Sequence, residues 1–85
     1  MYRILIKRQA KKKLQSLTPS MRAKMAGFIS MLGIDPDDAR LSVKKLHGKA
    51  AFRLRVGQWR LIFERDDVIK VISIEKIGAW GDVYK

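Results

Sequence analysis

Three arginines stand close together in the stretch Phe52-Arg53-Leu54-Arg55-Val56-Gly57-Gln58-Trp59-Arg60-Leu61-Ile62-Phe63-Glu64. A guanidinium is a planar, permanently charged fork of donors that matches a phosphate. Several of them converging can bind a phosphate and stabilise the negative charge that builds on it during cleavage. Other chemistries have little to work with. The chain has no cysteine, so thiolate chemistry and disulfides are excluded. Its one histidine, His47, makes a Ser-His triad or a histidine metal site improbable and reads as a loop residue. No cofactor or metal is implied.

Convergence depends on the elements that carry the arginines. Apolar residues alternate at Phe52, Leu54 and Val56, then at Trp59, Leu61 and Phe63, the period of a half-buried strand. Gly57-Gln58 is a two-residue hairpin loop with glycine first, the type II′ pattern. Such a loop pairs Val56 with Trp59 and puts both apolar sets on one face. Arg53, Arg55 and Arg60 then share the other face, with Arg55 opposite Arg60. Like charges opposite each other across a strand pair are destabilising. A surface that needed only solubility would interleave signs, so this face predicts an anion site. The competing reading is three ordinary solvent-facing arginines.

The rest of the chain must support this hairpin. Tyr2 to Ile6 is rich in strand formers. Lys7 to Leu17 carries Ala10, Leu14 and Leu17 at helical spacing, with Arg8, Lys11, Lys12 and Lys13 on the outer face. Thr18-Pro19 reads as an N-cap followed by proline at the first helical position. The second helix is predicted from Pro19 to about Leu32, with Met21, Met25, Phe28, Ile29 and Leu32 as its core face and Gly33 as its stop. Asp35-Pro36-Asp37-Asp38 is a turn. Arg40 to Ala50, with Lys44, Lys45 and Lys49, reads as a basic connecting loop. Asp66-Asp67 marks a second turn, and Val68 to Lys76 a long last strand. A two-residue turn there would set Ser73 opposite Arg60 and Glu75 opposite Gln58, where Glu75 could orient Arg60. The tail leaves the sheet at Gly78.

The string is strand, helix, helix, strand, strand, strand. It predicts a single α+β domain over residues 1–85: a small, mostly antiparallel four-stranded sheet with an N-terminal helical hairpin on one face. The arginine face stays open.

Composition narrows the partner. The 85 residues carry a net charge of +11, and no acidic residue precedes Asp35. That imbalance implies a polyanionic or acidic partner. A membrane is the weakest candidate, because no long basic amphipathic segment with aromatic anchors is present. No apolar run approaches a membrane span, and the N-terminal apolar core is too short for a signal peptide, so a cytoplasmic protein is expected. The Lys11-Lys12-Lys13 run reads as an RNA-contacting or solvated face.

The combination Lys45-Leu46-His47-Gly48, the Phe52–Glu64 hairpin, Ile74-Glu75-Lys76-Ile77-Gly78 and Asp82-Val83-Tyr84 resembles the RelE/ParE superfamily of type II toxins, most closely the RelE branch. The resemblance spans nearly the whole chain. It implies a ribosome-dependent endoribonuclease that cleaves mRNA in the A site by 2′-hydroxyl attack on the adjacent phosphate, halting translation and growth. It also implies a cognate antitoxin, expected to be acidic, in a toxin–antitoxin hetero-oligomer. By position, Arg53 and Arg55 resemble the family's paired basic residues, and Arg60 its phosphate-binding arginine. Tyr84 resembles the tyrosine that stacks on a base beside the scissile phosphate. Arg8, Lys11, Lys12, Lys13, Lys44, Lys45 and Lys49 are the expected RNA and ribosome contacts. One position departs from the pattern: RelE-like chains carry arginine where this chain has Trp80. The resemblance therefore implies attenuated catalysis. Two other functions fit the sequence: a ParE-like toxin that inhibits gyrase by protein contact, and an RNA- or ribosome-binding module without chemistry. The general base is left open between Tyr84, a lysine of the basic loop and a group of the ribosome.

Overall fold

The computed structural model describes residues 1–48 and 50–79. The elements are β1 (Arg3–Ile6), α1 (Arg8–Ser16), α2 (Pro19–Ile34), β2 (Ser42–Lys45), β3 (Ala51–Val56), β4 (Trp59–Asp66) and β5 (Val71–Ala79). The strands form one sheet in the order β1-β5-β4-β3-β2. β1 runs parallel to β5, and every other neighbouring pair is antiparallel. Both helices serve one face. Ala10, Leu17, Met25, Ile29 and Leu32 pack with Leu54, Val56, Leu61, Phe63, Ile72, Ile74 and Ile77 in a single core. No helix is long and apolar enough to cross a membrane.

The α+β architecture is the expected one, with three differences. The sheet has five strands, because β2 lies inside the segment read as a basic loop. Only Val43 of its four residues packs on the core, so the strand has no alternation to detect. It is an edge strand, and its lysines keep that edge from pairing with other chains. Second, Gly33 does not end α2. The helix continues to Ile34, and Asp35 N donates to Met31 O at 2.9 Å. Gly33 is there for close approach: a Cβ would come within 3.3 Å of Ile4 Cγ1, and Gly33 O accepts from Tyr2 N at 2.7 Å. Thr18 caps α2 as expected, its hydroxyl accepting from Met21 N at 3.3 Å.

Third, the β4–β5 connection is longer than two residues. Asp66 ends β4, its carboxylate accepting from Val68 N and Ile69 N, and Lys70 takes a positive φ of 57°. Val68 and Ile69 are 91% and 67% exposed, turn residues and not the start of the strand. The register moves accordingly. Arg60 faces Gly78, not Ser73, and Glu75 falls at an irregularity in the pairing near Ile62 and Phe63. Glu75 accepts from the Ser73 hydroxyl at 2.7 Å and so does not orient Arg60.

β5 outruns its partner β1. The Gln9 side chain satisfies the edge beyond it, its Oε1 accepting from Ile77 N at 3.2 Å. At the far end of the sheet Arg65 ties three segments together. Its guanidinium donates to both Asp37 oxygens (2.9 and 3.2 Å), to Asp67 Oδ1 (2.8 Å) and to Tyr2 Oη (3.3 Å). It also lies over the Tyr2 and Phe52 rings. Arg65→Ala should lower the melting temperature by roughly 10 °C, because one truncation releases α2–β2, the β4–β5 turn and the N-terminus together.

The same cluster gives an acid limb. Arg65 holds the Asp37 and Asp67 carboxyls below their usual range, and Arg40 pulls Asp38 down to about 2. Depressed carboxyls stabilise the fold above the unfolded value of 3.8 and lose that contribution as pH falls through the folded values. Melting curves of the native chain should fall over that interval, and the fall should be shallower in Arg65→Ala.

Candidate nucleic-acid interface

The β3–β4 hairpin forms as its alternation requires. Val56 pairs with Trp59 and Arg55 with Arg60. Gly57 has φ 61° and Gln58 has no positive φ, the type II′ arrangement. Phe52 and Phe63 stack across the pair on the core face, with ring centroids 5.4 Å apart. Arg53, Arg55 and Arg60 therefore point away from the helices.

The three arginines are not equivalent there. Arg60 is buried, only 6% exposed. Its Nη1 donates to Trp59 O at 3.0 Å and Gly57 O at 3.2 Å, so it fastens the turn it follows. Arg55, directly opposite, is exposed. Neutral backbone carbonyls take up part of Arg60's donor capacity while Arg55 reaches water, and this limits the cost of the like-charge pair. On its other side Arg60 faces Gly78, which has no side chain to cover it. Arg55, Gly57, Gln58, Trp59, Arg60 and Ala79 line an open cleft of about 450 Å³. One cation at its wall is held by backbone carbonyls and the other is exposed.

Arg53 lies two residues back on the same face, roughly 7 Å along the strand. It is half-buried and outside the cleft lining. Its Nε is buried without a hydrogen-bond partner among the described residues. The face is not wholly open, since Ala51 and Ile62 are buried there against Leu46.

The lysines divide between the two layers. Lys44 pairs with Arg53 and shares its face. Lys45 pairs with Phe52 and lines a hollow with Asp37, Arg65 and Asp67 on the opposite side, so the structure separates it from the arginines. Arg8, Lys11 and Lys12 are exposed on α1, in the helical layer. Lys13 lies over the Trp59 ring, 5.4 Å from its centroid, so Trp59 bridges core and cleft. Lys49, Trp80 and Tyr84 lie outside the described residues. Gln58 and Ala79 as cleft residues carry no local signature, and neither does Lys76, which the irregular β4–β5 register sets opposite Ile62.

Lys11/Lys12→Ala should weaken binding to a polyanion such as RNA and flatten its salt dependence by roughly one to two units of slope, with melting unchanged. Adding Lys13→Ala should also cost stability, because Trp59 loses its cation. An unchanged slope would leave the run as a solvated face.

No family model matches the chain, and no curated protein does. Solved structures do. A chain of the archaeal RelE–RelB complex from Pyrococcus horikoshii OT3 is 32% identical, with a TM-score of 0.83 over 95% of this chain and 97% of that one. The toxin–antitoxin complex RelBE2 from Mycobacterium tuberculosis gives 22% identity and a TM-score of 0.76 over 92% and 96%. YafQ from E. coli strain BL21(DE3) gives 17% identity and a TM-score of 0.78 over the full length of both chains. The sheet and the helical layer are those of a RelE-like toxin. The chain belongs to the RelE toxin family.

Proposed function

We propose that this chain is the toxin of a type II toxin–antitoxin pair, acting as a ribosome-dependent endoribonuclease on mRNA in the A site. The observation that carries the reading is the placement of Arg55 and Arg60 side by side at one cleft, with Arg60 held by the Gly57 and Trp59 carbonyls. In the proposed reaction the 2′-hydroxyl of one nucleotide attacks the adjacent phosphorus and the 5′-oxygen of the next nucleotide leaves. Negative charge builds on the phosphoryl oxygens. A guanidinium oriented before the reaction stabilises that charge without reorganising, a contribution worth ~10²–10³ in rate for one donor. Arg60 is the oriented group. Arg55 closes on the phosphate from the opposite strand, and Arg53 holds the neighbouring backbone. The ribosome aligns the 2′-hydroxyl with the phosphorus, supplying the proximity term that a small open cleft does not. Tyr84 stacks on the base beside the cut.

Several similar structures are toxin–antitoxin complexes. The partner proposed here is an acidic antitoxin, partly disordered when free, that folds over the basic chain. It either covers the Arg53/Arg55/Arg60 face or displaces the Tyr84 tail. Cross-links confined to surface remote from both would refute that mode. The activity is tested by adding the chain to a translating extract and, separately, to a gyrase supercoiling reaction. Loss of intact mRNA with supercoiling unaffected is the expected result. Intact mRNA with gyrase inhibited would establish the ParE-like function instead.

A further inference from the structure

We propose that Lys76 is a further cation of this RNA site, delivered to the arginine face by a β-bulge, and that it contacts a backbone phosphate of the bound mRNA. The proposal rests on the RNA reading above.

From Asp66 opposite Val71 to Phe63 opposite Ile74 the β4–β5 pairing is regular. At the next step Ile62 faces Lys76, and Glu75 is the extra residue. Continued without the bulge, the register would set Ile62 opposite Glu75, Leu61 opposite Lys76 and Arg60 opposite Ile77. Lys76 would then enter the core beside the fully buried Leu61. The bulge reverses this. Ile77 pairs with Leu61 and is fully buried, while Lys76 takes the position beside Ile62 and is exposed. Gly78 arrives opposite Arg60. Bulges are common next to functional sites, where they re-aim a side chain.

The result is a row of positions across the sheet on one face: Lys44, Arg53, Ile62 and Lys76 on successive strands. Three of the four are cations. At roughly 4.8 Å per strand the row spans about 14 Å. The neighbouring row, towards the hairpin turn, holds Arg55, Arg60 and Gly78. A polyanionic strand laid across the sheet at this end meets Lys44 and Arg53 on one side of the cleft and Lys76 on the other. Glu75 stays on this face beside Lys76, its carboxylate accepting from the Ser73 hydroxyl at 2.7 Å.

The test measures binding to ribosomes programmed with mRNA and to mRNA-free ribosomes across a salt series. Lys76→Gln keeps the side-chain stem and removes the charge. Its affinity for programmed ribosomes should drop several-fold and its salt slope by about 0.7, the value for one phosphate contact on a single strand. Its binding to mRNA-free ribosomes should not change, and Lys76→Arg should restore the slope. A Lys76→Gln slope equal to the native one, with Arg55→Ala lowering it, would overturn the role of Lys76 and leave the RNA reading standing. Equal losses on both kinds of ribosome would move Lys76 to a ribosomal RNA contact and refute the mRNA contact. Native, Arg55→Ala and Lys76→Gln chains alike on programmed ribosomes would bring down the RNA reading and Lys76 with it.

Discussion

Trp80→Arg should raise A-site mRNA cleavage by ~10²–10³, the range for one preorganised donor at a developing charge. Strand β5 brings the chain to Ala79, at the wall of the cleft that holds Arg55 and Arg60, and Trp80 is the next residue. In the RelE pattern an arginine stands at this place. Tryptophan offers one N–H and no charge, so it cannot replace a guanidinium opposite a phosphate that is becoming more negative. The gain should appear in the cleavage rate and in growth arrest on expression. Melting should barely change, since the core formed by the described residues lies within the helices and the sheet up to Ile77. Equal rates for the native and Trp80→Arg chains would show that this position takes no part in catalysis.

Arg60→Ala in the Trp80→Arg background should abolish that gain and also destabilise the fold. Arg60 is buried and gives the Gly57 and Trp59 carbonyls a donor beside the turn. Leaving such groups without a partner costs on the order of 1–3 kcal/mol, a fall of roughly 5–15 °C in melting temperature for a domain of this size. Arg60→Lys separates the two roles. Lysine retains the charge, and with it part of the stability, but lacks the planar fork that can bind carbonyl oxygens and phosphate together. Its cleavage rate should stay near that of Arg60→Ala while its melting temperature recovers in part. Full cleavage by Arg60→Lys would assign Arg60 to the turn alone.

The hairpin was legible because everything that defines it is local. Alternation, the glycine-first loop and the Val56–Trp59 pairing all follow from adjacent residues, and the Arg55–Arg60 pair follows from them. Thr18-Pro19 was legible for the same reason. The features that eluded the sequence depend on contacts between distant segments. Gly33 carries the local mark of a helix stop, but its reason for being glycine is Ile4 on β1. β2 exists because β3 offers it an edge, and nothing in Ser42-Val43-Lys44-Lys45 announces a strand. The bulge at Glu75 is set by the need to bury Ile77 while β4 keeps its own alternation, and that requirement is visible only once the two strands are paired. Alternation puts Arg60 on the correct face but not at its true exposure, because its guanidinium folds back onto the carbonyls of its own turn.

The most direct measurement of the proposed activity is the position and end chemistry of the cut. The Trp80→Arg chain is incubated with ribosomes stalled at a defined codon, reverse-transcription stops are mapped, and the 3′ end of the upstream fragment is analysed. A cut inside the A-site codon leaving a 2′,3′-cyclic phosphate is the predicted result, since attack by the neighbouring 2′-hydroxyl must leave that ring. A cut elsewhere on the mRNA, a 3′-hydroxyl end, or no cut from a folded, ribosome-bound chain would contradict the account.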